Sequence, residues 1–169
     1  MIEIHPETPA DFAAVREVNE LAFEQPAEAG LVDALRVAAH PTISLVAVDD
    51  GHVVGHILFS PVTIEGSGGV STAMGLAPMA VRPERQNAGI GSALVRAGLA
   101  ACAALGENVV VVLGHPHYYP RFGFVPAATK GLSCEYPVPA DVFMVTELAP
   151  GALRGRTGLV KYHAEFARV

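Results

Sequence analysis

The stretch from Met79 to Leu94 reads Met-Ala-Val-Arg-Pro-Glu-Arg-Gln-Asn-Ala-Gly-Ile-Gly-Ser-Ala-Leu, and it constrains the fold more than any other part of the chain. An apolar strand ends at Val81, and a polar turn follows through Arg82, Pro83, Glu84 and Arg85. Gln86-Asn87-Ala88-Gly89-Ile90-Gly91 then opens a long apolar helix. A strand, a glycine-bearing turn and a helix start together make an anion site. The first backbone N–H groups of a helix lack internal acceptors, and the helix dipole places partial positive charge there. Gly89 and Gly91 carry no Cβ, so a phosphate can come close to the backbone.

Two common nucleotide motifs do not fit. A Walker A loop requires a Gly-Lys-Ser/Thr ending, which this chain lacks. A dinucleotide fingerprint requires a third glycine or alanine where Leu94 stands. The pattern that fits is Gln/Arg-x-x-Gly-x-Gly/Ala after a strand. It resembles the pyrophosphate loop of the GNAT-superfamily N-acetyltransferases, which bind acetyl-CoA. On this stretch alone, a glycine-rich turn without a ligand stays open as the other reading.

A second stretch makes the resemblance specific. Tyr118-Tyr119-Pro120-Arg121-Phe122-Gly123-Phe124 follows the apolar run Val109 to Leu113. The same superfamily commonly carries an aromatic pair and then Gly-Phe at this place. Leu-Gly-x-Pro-x-Tyr-Tyr-x-Arg-Phe-Gly-Phe and Val-Gly-His-Ile-Leu-Phe-Ser look like the bacterial YhbS-like branch of predicted acetyltransferases. The likeness covers nearly the whole chain.

Composition narrows the partners. At 169 residues a single domain over 1–169 is expected. Apolar residues make up 51% and charged residues 17%, which argues against disorder. A net charge of −6 gives no basic footprint, against nucleic acid or an anionic membrane as partner, and mildly favours cationic acceptors such as amines. Cys102 and Cys134 lack metal-ligand spacing and read as reduced thiols of a cytoplasmic protein. No metal is expected. No signal peptide and no membrane-spanning run is expected either.

In chain order, Ile2 to His5 reads as a strand. Thr8-Pro9-Ala10-Asp11 starts a helix, with Thr8 as cap. A second helix runs near Glu28 to Ala39, closed by Pro41. Thr42 to Val48 and His52 to Ile64 are strands about an Asp49-Asp50-Gly51 turn. His56, Leu58 and Ser60 share one face of the second strand, and Ile57 and Phe59 share the other. A fourth strand, Ser71 to Val81, contains Pro78, which marks an edge or bulge because proline donates no ladder hydrogen bond. A helix from Gly89 to about Leu105 is ended by Gly106. It carries the chain to Val109–Leu113, a strand buried on both faces and parallel to the fourth. Leu132 to Glu135, Val142 to Leu148 and Gly158 to Tyr162 read as further strands.

The resemblance implies an α/β (α+β) fold of the GNAT type. Its central sheet is mixed and mostly antiparallel, with helices on both faces and a splayed parallel strand pair that admits the pantetheine arm. It places Met79, Ala80 and Val81 where backbone groups meet the pantetheine and the acetyl carbonyl. Gln86, Asn87, Ala88, Gly89, Ile90, Gly91 and Ser92 fall at the pyrophosphate. Tyr119 occupies the position of the family tyrosine near the CoA sulfur, as catalytic proton donor and cofactor contact. Tyr118 reads as a core residue. Phe23, Glu24 and Glu28 fall near the acceptor, and ordinary surface acids are an equal reading of the two glutamates. His56 is a candidate at the substrate site, against a structural role. Glu24, His56 and His115 are candidate bases. His115 departs from the acidic residue frequent there in this branch, and no role is assigned to it.

The function implied is acetyl transfer from acetyl-CoA to a primary amine, of a small molecule or a protein, by direct attack. The alternative is a non-catalytic acyl-CoA-binding or sensing module. Acceptor identity stays open. Oligomeric state stays open too, with a homodimer among the outcomes the resemblance allows.

Overall fold

Apolar alternation punctuated by tight turns builds most of this structure, a computed structural model that describes residues 1–169. Strand β1 (Ile2–Pro6) is followed by helices α1 (Phe12–Phe23) and α2 (Ala27–Ala38). Strands β2 (Ile43–Asp49) and β3 (His52–Gly66) are joined through Asp50 and Gly51. Both turn residues are left-handed, with φ 54° and 78°, as a two-residue hairpin requires. A second tight turn leads into β4 (Gly69–Val81). Then come α3 (Ile90–Ala104) and β5 (Val109–Leu113). The chain ends with β6 (Val125–Pro126), β7 (Leu132–Cys134), β8 (Phe143–Glu147) and β9 (Gly158–Lys161).

The nine strands form one mixed sheet in the order β1-β2-β3-β4-β5-β8-β6. The only parallel pairs are β4 with β5 and β7 with β9. Long strand β3 takes β2 on one edge at its start and β9 on the same edge at Thr63–Glu65. The fold is therefore the mixed, mostly antiparallel one expected. Strand β7 pairs with β9 rather than with β8, a long-range choice that local pattern does not specify.

The two faces separate the core as a period of two demands. Leu45, Ala47, Ile57 and Phe59 pack under α3, against Leu94, Val95 and Leu99. Val46 and Leu58 face the other way, against Val15, Leu31 and Leu35 of α1 and α2. Residues Val109 to Val112 are buried, and alternate ones join opposite cores. Helix α3 lies unusually close to the sheet. A Cβ at Gly98 would stand 2.2 Å from the Phe59 ring, so only glycine fits there.

One expected cap is reversed. Thr8 does not cap with its side chain; its N–H and hydroxyl both donate to Asp11 Oδ2, at 2.8 and 3.1 Å. A 3-10 turn, Pro9–Asp11, precedes α1.

His56 lies wholly inside, on the α1 side of β3. The Asn19 amide contacts its Nδ1 at 3.3 Å and also donates to Val15 O at 3.0 Å. With Nδ1 accepting from that amide, Nε2–H donates to Ser44 Oγ at 2.8 Å. Burial, with the positive charge of Arg36 adding to it, pushes the imidazole down to about 3. The unfolded chain takes up this proton near pH 6.5, whereas the folded chain resists until about 3. The stabilisation is complete above pH 6.5 and is lost as the pH falls towards 3. Urea titrations at pH 7 and pH 5 should show the parent chain losing up to about 2 kcal/mol more than His56→Gln over that interval. Parallel losses in both proteins would remove His56 as the cause.

Candidate active site

The site begins where β4 parts from β5. Their parallel ladder covers only Met74–Leu76 against Val110–Val112, while β4 runs on to Val81. The β3–β4 register slips at the same place: Ile57 lies opposite Met79 and Phe59 opposite Leu76. Ala77 and Pro78 together stand opposite the single residue Leu58, the two-against-one count of a bulge. Pro78 has no N–H to donate, so the ladder is interrupted where its loss is least costly. Beyond the bulge, Met79, Ala80 and Val81 pair with β3 on one edge and have no strand on the other. Their backbone groups on that edge need another partner.

The loop after β4 is tied down from both ends. Gln86 Nε2 donates to Val81 O at 3.0 Å. Arg85 meets Asp49 at 2.6 Å and holds that carboxyl below the usual carboxylate range. Asn87 and Gly89 are left-handed, with φ 60° and 86°. The first bond into α3 is Ala93 N–H to Gly89 O, 3.1 Å, and no side chain caps the helix. The N–H groups of Ile90, Gly91 and Ser92 are thus open at the positive end of a four-turn helix.

This helix start forms one wall of a cleft of about 620 Å³. Met79, Ala80 and Val81 form its floor, and Tyr118, Tyr119 and Arg121 close it. Tyr118 reaches across to α3, with its hydroxyl 3.0 Å from Ser92 Oγ. The Arg121 guanidinium lies 4.5 Å from the Tyr118 ring centre and donates to Tyr118 O at 2.9 Å. Arg85 and Arg121 are the cleft's two guanidinium groups; Arg85 is spoken for by Asp49, whereas Arg121 has no carboxylate partner.

Tyr119 stands at the back of this cleft, 6% exposed, edge-on to Tyr118 and Phe124. Burial, with Tyr118 adding to it, pushes its phenol up to about 12. It stays protonated through the neutral range and so keeps a proton to donate. A second cleft, about 420 Å³, opens on the far side of the splay between α1, α2, β4 and the start of the loop after β5. Phe23, Met79, His115 and Tyr119 line both clefts.

The structure brings together most of the residues that the sequence singled out. Met79, Ala80, Val81, Gln86, Asn87, Gly89, Ile90, Gly91, Ser92 and Tyr119 all line the first cleft; Ala88 belongs to the same loop but does not face it. Phe23 and Glu28 line the second. Glu24 lines neither; it is exposed in a left-handed conformation (φ 57°) past the end of α1. His56 is a correction to the expected acceptor group and base: it lines neither cleft, and both ring nitrogens are engaged inside the core. Tyr118, read as core, is instead half-buried and part of the cleft wall. Arg85 and Arg121 were not singled out. Their signal was faint: Arg85 directly precedes the glycine-bearing loop, and Arg121 stands two residues after Tyr119 in the aromatic stretch.

Comparison with known proteins places this arrangement. Residues 3–127 match the acetyltransferase (GNAT) domain, and the chain belongs to that family. Among its relatives, the uncharacterized N-acetyltransferase YhbS of Escherichia coli K12 is 41% identical over 166 residues, covering 98% of each chain. The crystal structure of E. coli YhbS in complex with CoA matches with TM-score 0.91 at 39% identity, covering 99% of this chain and 92% of that one. A GNAT-family acetyltransferase from Brucella melitensis in complex with acetyl-CoA matches with TM-score 0.81 at 39% identity over 98% of both.

The tyrosine's placement depends on Gly114, where a Cβ would lie 2.3 Å from Tyr119 Cε2. Gly114→Ala should therefore displace the phenol and lower stability by about 1–3 kcal/mol. Denaturant unfolding and the near-ultraviolet tyrosine signal measure both. An unchanged signal with unchanged stability would mean the loop absorbs the methyl group.

Proposed function

We propose that this chain moves the acetyl group of acetyl-CoA to a primary amine by direct attack. The observation that carries the reading is the meeting of two clefts at Met79, His115 and Tyr119, beside the splay. One ligand can enter from each side and touch the other there. The complexes of the two relatives with CoA and acetyl-CoA support the choice of cofactor.

The open amides of Ile90, Gly91 and Ser92, with the Gln86–Gly91 loop, receive the pyrophosphate. Arg121 adds a charge-assisted contact to a CoA phosphate. Backbone groups of Met79, Ala80 and Val81 on the unpaired edge of β4 bond the pantetheine, and an N–H near Ala80 or Val81 stabilises the oxyanion. In the reaction the amine nitrogen, neutral at attack, bonds to the carbonyl carbon and the C–S bond breaks. Tyr119 gives its proton to the leaving thiolate. The nitrogen sheds one proton, for which His115 is the imidazole at the junction of the clefts.

The reading treats residues 1–169 as one domain, because strands beyond residue 127 pair with β5 and β3 in the same sheet. No helix is long and apolar enough to cross a membrane, and both cysteines are free. A cytoplasmic location suits these facts. A CoA-sensing module without turnover is less well supported, since it needs neither a protonated buried phenol nor a second cleft.

Calorimetric titration of the purified chain with CoA should show micromolar binding, and Arg121→Ala should weaken it about tenfold. Tyr119→Phe should leave that affinity within about twofold and lower kcat at least about 100-fold. Undiminished kcat would take Tyr119 out of the mechanism. Folded protein that binds no CoA would reduce the Gln86–Gly91 loop to a turn.

A further inference from the structure

The second cleft has a lining that discriminates among amines. Its walls are Phe23, Leu31, Leu76, Leu113 and Phe166, with Ala77, Pro78 and Met79 between them. Glu28 is its only acidic side chain, and no lysine, arginine, serine, threonine, asparagine or glutamine lines it. Resting on the transferase reading above, we propose that the acceptor is a primary monoamine on an apolar body, an alkyl- or arylalkylamine, whose ammonium is drawn in by Glu28 and releases one proton to water before the neutral nitrogen attacks.

Glu28 is prepared for a cation. It sits half-buried on the first turn of α2, and Gln25 Nε2 donates to its two oxygens at 2.9 and 3.1 Å. That one amide fixes the carboxylate and leaves lone pairs free. No arginine or lysine forms an ion pair with it, unlike Glu7, Asp33 and Asp49 elsewhere in the chain.

The same lining rejects the other amine classes. The carboxylate of an amino acid would enter a cleft without a cationic side chain and would be repelled by Glu28. A second ammonium, as in a polyamine, or the hydroxyls of an aminosugar would lose water and find only His115 and Tyr119, at the junction of the two clefts, as further polar side chains. An aromatic or aliphatic body instead covers the five large apolar side chains at no such cost. Discrimination by an apolar lining against an added polar group is on the order of 100-fold in enzyme sites.

Matched pairs of amines test this, read by thiol release from acetyl-CoA. The kcat/KM should be at least about tenfold higher for hexylamine than for 1,6-diaminohexane, and at least about 100-fold higher for 2-phenylethylamine than for phenylalanine. Glu28→Gln should raise KM for 2-phenylethylamine about tenfold, with kcat and CoA affinity within about twofold. Equal or better turnover of the diamine or the amino acid overturns the assignment. So does an unchanged KM in Glu28→Gln, or turnover of neither monoamine by protein that binds CoA. Failure to bind CoA is a separate result and removes the transferase reading together with this one.

Discussion

A missing N–H group organises the site. Pro78 cannot donate to a ladder, and the β4–β5 pairing ends at Leu76 with the β3–β4 register slipping beside it. Everything functional is arranged about that interruption. It leaves an edge of Met79–Val81 unpaired, opens a passage between the two sides of the sheet, and brings α3 and the loop after β5 to the same rim. A continuous ladder here would have given a sheet that a thioester could not enter.

Desolvation acts on two buried titratable groups with opposite consequences. His56 and Tyr119 are both nearly inaccessible, and burial favours the neutral form of each. For the imidazole this removes a proton and makes it a fixed part of the α1–sheet packing. For the phenol it retains a proton, held at the border of the two clefts. Position decides which outcome is useful: His56 has partners on both nitrogens, whereas Tyr119 borders two clefts.

Local pattern carried the β4–loop–α3–β5 unit well, because strand end, turn chemistry, helix start and buried strand each have their own signature. The bulge at Pro78 was legible for the same reason. Depth was less legible. A period of two places His56 on a face but does not say that α1 will seal that face. Tyr118 and Arg121 were missed as cleft residues because their roles arise from a contact to Ser92, a residue distant in the chain, and from a stacking geometry. Glu24 looked equivalent to Glu28, yet it lies in the left-handed link between α1 and α2 and Glu28 on the first turn of α2. The pairing of β7 with β9 is likewise a choice among distant strands that no local window contains.

Gly98 gives the closeness of α3 to the sheet a further meaning. It lies nine residues beyond Gly89, about 13 Å along the helix axis, with the Phe59 ring pressed against its backbone. A helix is stiff over that span, so the height at which its middle rests on β3 also sets the height of its N-terminal amides above β4. The position of those open amides is in this sense calibrated from the core, like a beam levelled at its midpoint. Sequence drift at Gly98 or Phe59 would therefore be felt as a misalignment in the wall of a cleft that neither residue lines.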